Sequence, residues 1–188
     1  MPGWGNPSDV KLRNSELFGG EVMLVVDSKG FAAIIPYPAG DSSKWFQIIP
    51  GNLHAAELLP NGNIALAAST AGWVRIYTSS QSPISNTYAE FRLPGAHGVL
   101  WDPQREVLWA LGDYDLVALR ISGPPEKPTI EKVLQSSLPS GGGHDLSPVC
   151  GDSDRLWVTT NSGVYQYVKS TDTWIDQFPD GSLATLPA

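Results

Sequence analysis

One cysteine in 188 residues, Cys150, excludes an intramolecular disulfide, so the fold must stand on packing alone. Flanked by Pro148 and Val149, it reads as a buried structural thiol. Basic residues are also scarce, with 12 Lys and Arg against 19 Asp and Glu and a net charge of -7. Nucleic acids and anionic lipid surfaces both attract clustered cations, so neither nucleic acid nor a membrane is expected as a partner. No apolar run approaches the ~20 residues of a membrane-spanning helix. The first residues, Met1-Pro2-Gly3-Trp4-Gly5, have neither the basic nor the apolar region of a secretory signal, so the chain as given reads as soluble, with its compartment open. No stretch sustains the spacing of a capped helix, and no helix longer than a turn is expected.

What is plentiful points to strands. Gly 19 and Pro 16 supply turns, while seven Trp and six Tyr suit half-buried pleated surfaces. Internal repeats decide the architecture. His54 opens His-Ala-Ala-Glu-Leu-Leu-Pro-Asn-Gly-Asn-Ile-Ala-Leu-Ala-Ala, His97 opens His-Gly-Val-Leu-Trp-Asp-Pro-Gln-Arg-Glu-Val-Leu-Trp-Ala-Leu, and His144 opens His-Asp-Leu-Ser-Pro-Val-Cys-Gly-Asp-Ser-Asp-Arg-Leu-Trp-Val. The histidines stand 43 and 47 residues apart, near the length of a four-stranded propeller blade. Within each unit a short apolar strand and a polar turn lead to a second strand (Ile64-Ala68, Val107-Leu111, Leu156-Thr159). A third follows (Trp73-Tyr77, Leu116-Ile121, Val164-Val168), then a more polar fourth (Tyr88-Leu93, Thr129-Leu134, Thr173-Phe178). A degenerate first unit, lacking the histidine, is read in Asp9-Arg13, Glu21-Asp27, Phe31-Tyr37 and Trp45-Ile49.

The fold expected is therefore all-β, a β-propeller of about four blades of four antiparallel strands. It forms one domain over 1-188 with blades near 9-51, 54-95, 97-140 and 144-188, either closed as a four-bladed ring or left open as part of a larger propeller. Trp101, Trp109 and Trp157 should fill space between blades. Trp4, Trp45, Trp73 and Trp174 are expected to be more exposed.

The innermost strand of each propeller blade lines the central channel, so His54, His97 and His144 should converge at its mouth. Neutral imidazoles bind first-row divalent metals, and three with an open position is the composition of a catalytic rather than a structural site. The plainer alternative is that a residue recurring from blade to blade hydrogen-bonds neighbouring backbone. Links between second and third strands should surround the histidines, which makes Asp113, Tyr114, Asp115 and Asn161 candidate contacts for a polar ligand, with Asp145 orienting His144. Glu57 and Arg75 are weaker candidates.

The phrases His54-Ala-Ala-Glu-Leu-Leu-Pro-Asn-Gly, Gly95-Ala-His-Gly-Val-Leu-Trp-Asp-Pro, Leu108-Trp-Ala-Leu-Gly112 and Gly143-His-Asp-Leu-Ser-Pro resemble a family of uncharacterised microbial β-propellers. That resemblance implies the fold and no established activity. More loosely, the histidine cluster is similar to that of the oligogalacturonate lyases, propellers whose channel histidines hold a divalent metal near an acidic sugar. The leading expectation is a divalent-metal site binding or processing a polar ligand such as a carbohydrate, by lyase or hydrolase chemistry with no catalytic base named. The competing expectation is a non-enzymatic scaffold with structural histidines and a protein partner.

Overall fold

Sixteen strands and no helix form among residues 5–176, the part of the chain that the computed structural model describes. They fall into four antiparallel sheets, each built from four strands consecutive in sequence. Blade 1 contains β1 (Pro7–Ser15), β2 (Gly20–Asp27), β3 (Phe31–Pro36) and β4 (Trp45–Ile48). Blade 2 contains β5 (Leu53–Leu58), β6 (Ile64–Ala68), β7 (Trp73–Tyr77) and β8 (Tyr88–Arg92). Blade 3 contains β9 (Gly98–Asp102), β10 (Val107–Leu111), β11 (Asp115–Ser122) and β12 (Thr129–Ser137). Blade 4 contains β13 (Asp145–Val149), β14 (Asp152–Thr159), β15 (Val164–Val168) and β16 (Thr173–Ile175). This is the four-stranded blade of a β-propeller. The end of the expected last strand, Phe178, lies outside the described residues.

Burial follows each strand's place in its blade. All five residues of β6 and all five of β10 are buried, because each strand is covered on both faces by neighbouring blades. Such strands read as unbroken apolar runs. The outer strands β8 and β12 alternate between exposed and half-buried positions, because one side meets solvent. Three apolar clusters join successive blades: Leu24, Ile34 and Trp45 against Leu53, Leu66 and Tyr77; Ala65 and Ile76 against Leu108 and Val117; and Trp109 and Leu116 against Leu156 and Tyr167. The inner strands meet in the same succession, β1 with β5, β5 with β9 and β9 with β13.

Trp109 is buried as expected, while Trp101, Trp157 and Trp174 are half-buried. Trp45 and Trp73 depart from expectation, being 0% and 2% exposed. A turn from blade 2 folds over Trp45, whose indole donates to the Ser85 carbonyl at 2.7 Å, and the Arg75 guanidinium lies 4.0 Å above the Trp73 ring. Cys150 is exposed rather than buried, because it sits in the β13–β14 turn instead of on a strand. Trp4 lies outside the described residues. Among those residues no helix is long and apolar enough to cross a membrane.

Candidate functional site

Each histidine occupies the position where the chain enters an inner strand. The backbone amide of His97 donates to the Leu111 carbonyl at 2.8 Å, and that of His144 to the Thr159 carbonyl at 2.9 Å, so the adjacent strand pins both. His54 is the extra residue of a bulge, since the register against β6 slips between Leu53 and Ala55. A bulge re-aims the side chain it carries. The three imidazoles meet, with ring centroids 4.2 Å apart for His54 and His97, 5.0 Å for His97 and His144, and 6.1 Å for His54 and His144.

The surroundings of His54 set its protonation. Burial, then the neighbouring His97 and His144, lowers the pKa of His54 from 6.5 to about 4, leaving a neutral ring at pH 7. Nδ1 of His97 lies 2.6 Å from the Gly95 carbonyl oxygen. A carbonyl only accepts, so Nδ1 carries a proton, and in the neutral ring the lone pair is then on Nε2. Gly95 itself has φ +62°, and a Cβ there would run into the Asp113 carboxylate, so the link carrying His97 depends on glycine. Neither His54 nor His144 makes a side-chain hydrogen bond to another described residue.

The cavity around the rings is about 130 Å³ and is lined also by Ser8, Asp9, Lys11 and Asp145. Ser8 fills the histidine position of blade 1, for it is the extra residue of the same kind of bulge, between Pro7 and Asp9. Lys11 crosses beneath the rings. Its ammonium donates to the carbonyls of Ala56 and Val99, both at 2.9 Å, and pairs with Asp9 at 3.1 Å. Those two carbonyls stand two residues beyond His54 and His97, so one side chain ties three inner strands together under the imidazoles. Asp9 accepts in turn from the Ala56 amide at 3.0 Å. One layer deeper, Arg13 grips the buried Glu57 carboxylate with two hydrogen bonds of 2.6 Å.

Of the residues expected to surround the histidines, Asp145 lines the cavity and Asp113, Tyr114, Asp115 and Asn161 do not. Asp113, Tyr114 and Asn161 brace the link that carries His144, while Asp115 closes its own turn. The Asp113 carbonyl accepts from the amides of Gly142 and Gly143 at 2.7 and 3.2 Å, and the Asn161 amide donates to the Gly142 carbonyl at 3.0 Å. The Tyr114 carbonyl accepts from Leu138 at 2.9 Å while the residue is 67% exposed, and the Asp115 carbonyl accepts from Gly112 at 2.9 Å. Ser8, Asp9 and Lys11 were not anticipated. Their signal was the alternation of Asp9, Lys11 and Arg13 with Val10 and Leu12, which places three charges on one face of an inner strand. Among the described residues, no group of three or more His, Cys, Asp or Glu stands as a ready-made metal cage.

The sequence profile of a family of unknown function (DUF6528) matches residues 3–178. No curated protein matches the chain. Among solved structures, the C-terminal WD40 domain of Sif2 is similar at a TM-score of 0.65 and 12% identity over 89% of this chain and 44% of that one. A streptogramin B lyase is similar at 0.64 and 14% identity over 97% and 58%. BBS1N, in complex with ARL6DN, is similar at 0.58 and 15% identity over 85% and 50%. The chain thus spans about half the length of the solved structures it matches, and identities this low speak for the fold alone.

Proposed function

We propose, for a chain that belongs to the DUF6528 family of unknown function, that the mouth of its propeller channel binds a divalent first-row metal ion through His54, His97 and His144 and offers it to a polar ligand such as a carbohydrate. The convergence of three imidazoles from three successive blades carries this reading. Two nitrogens on one zinc ion lie about 3.3 Å apart. The His54–His97 and His97–His144 pairs can reach that spacing by turning about Cβ–Cγ, a torsion with broad wells, whereas His54 and His144 must also draw closer on binding the ion. His54 is neutral at pH 7, the protonation state that metal ligation needs, and the Gly95 carbonyl favours the neutral His97 tautomer that leaves Nε2 open. When bound, the ion would supply Lewis-acid polarisation of a carboxylate or a water. Around it, Ser8 and Asp145 supply hydrogen-bonding groups for the ligand, and the Lys11–Asp9 pair walls off the channel below.

Equilibrium dialysis of the purified chain against zinc, with metal content measured afterwards, is expected to give one ion per chain. His97→Ala should weaken binding by more than about 100-fold, since loss of an outer partner alone costs 10–100-fold. A wild-type chain that retains no zinc, with a His97→Ala variant that is only less stable, would reject the metal site. That outcome favours the second reading, a scaffold for a protein partner. BBS1N, a structural neighbour solved in a protein complex, supports that reading by analogy of fold.

A further inference from the structure

The inner strands run from one mouth of the channel to the other. Leu58, Trp101 and Pro148 stand four residues beyond His54, His97 and His144, about 13 Å along a strand. There they border a second hollow, of about 640 Å³, floored by the Arg13–Glu57 pair. Blades 2, 3 and 4 give it an apolar wall of Leu58, Pro60, Trp101, Pro103 and Pro148, while blade 1 adds the polar Asn14, Ser15 and Glu16. Trp45, Trp109 and Trp174 each donate their indole N–H to a protein acceptor. That of Trp101 meets none among the described residues and is open to solvent. The side chains of Asn14 and Glu16 also have no partner among those residues. A neighbouring hollow of about 420 Å³ between blades 3 and 4 shares Trp101, Pro103 and Pro148 with the first, so the two form one groove across the indole. Each cation lining this groove is already paired: Arg13 with Glu57 at 2.6 Å, Lys169 with Asp102 at 2.6 Å and Arg155 with Asp152 at 3.2 Å.

We propose that this far mouth binds an uncharged oligosaccharide across Trp101. A mainly apolar hollow of this size with a few converging polar groups has the make-up of a ligand site. A sugar ring brings an apolar C–H face to the tryptophan and proline wall. Its hydroxyls accept from the Trp101 indole and exchange hydrogen bonds with Asn14 and Glu16. An anionic ligand would find no free cation here, and the Glu16 carboxylate would repel it. The apolar surface of a protein partner would cover the wall but leave Asn14, Glu16 and the Trp101 N–H buried without partners, which is costly. The site lies apart from the histidines and does not depend on the metal reading.

The purified chain, applied with EDTA to an array of neutral and acidic oligosaccharides, should bind neutral members. For the best of them, titration calorimetry with Trp101→Phe should show affinity lowered by about tenfold, the size of one lost hydrogen bond with part of an aromatic contact. Asn14→Ala, at an exposed position whose side chain holds nothing else in the fold, provides the same reading should Trp101→Phe disturb the packing. Silence across the neutral sugars, binding confined to acidic ones or dependent on added zinc, or affinity unchanged in both variants would each overturn the proposal. So would binding to a peptide array with none to sugars, which would assign the groove to a protein partner.

Discussion

Alanine in place of Arg13 is expected to lower stability by about 3–5 kcal/mol, because it strands a carboxylate inside the channel. Glu57 is 1% exposed, and Arg13 is its bidentate partner, with two bonds of 2.6 Å. The Leu58 amide at 3.0 Å and the Lys11 ammonium at 4.0 Å would remain, too little for an ion removed from water. For a chain of this size that loss is roughly 10 °C in melting temperature. Adding Glu57→Gln to Arg13→Ala removes the stranded charge and should restore part of the loss, which denaturant unfolding of the four-protein cycle measures. A loss below about 1 kcal/mol for Arg13→Ala, the size of an exposed ion pair, would show that water reaches Glu57.

Lys169→Met should cost a similar amount at neutral pH, and the cost should depend on pH. Asp102 is 4% exposed and lies 2.6 Å from the Lys169 ammonium, 3.1 Å from the Trp109 indole nitrogen and 3.8 Å from Arg105. Burial works to raise its pKa, but the hydrogen bonds from Lys169 and Trp109 outweigh it and hold the carboxyl below its ordinary 3.8. A folded pKa depressed in this way contributes stability that is complete above about pH 4 and is lost as the pH falls through the folded value. Wild type and Lys169→Met should therefore differ by about 3–5 kcal/mol at pH 7 and converge as the pH falls through the depressed folded pKa of Asp102. A difference that stays constant with pH would assign Lys169 a packing role instead.

Much of the blade architecture could be read from the chain, for a physical reason. A middle strand covered on both faces must be an unbroken apolar run, as Ile64–Ala68 and Val107–Leu111 are, and repetition of that run fixes the period. The convergence of the histidines also followed, because equivalent positions on inner strands share one axis. What escaped depended on single-residue register or on long-range cover. The bulge between Pro7 and Asp9 hides Ser8 as the counterpart of the histidines, since one extra residue reverses which side chains face inward. Asp113, Tyr114, Asp115 and Asn161 do not line the cavity, and the first two and Asn161 hold the glycine-rich link before His144 instead. The burial of Trp45 depends on a turn 40 residues away, which local pattern does not record.

The central claim, that three blades bring three imidazoles to one point, is tested most directly by following the ring resonances of the histidines by nuclear magnetic resonance as the pH is lowered, without metal. His54 should titrate at about 4 rather than 6.5, and removing either neighbour in His97→Ala or His144→Ala should raise that value. Because its folded pKa is depressed, the folded chain should also lose stability as the pH falls from about 6.5 towards 4, where only the unfolded state takes up the proton. A His54 that titrates near 6.5 and does not respond to loss of His97 or His144 would contradict the convergence and the site built on it.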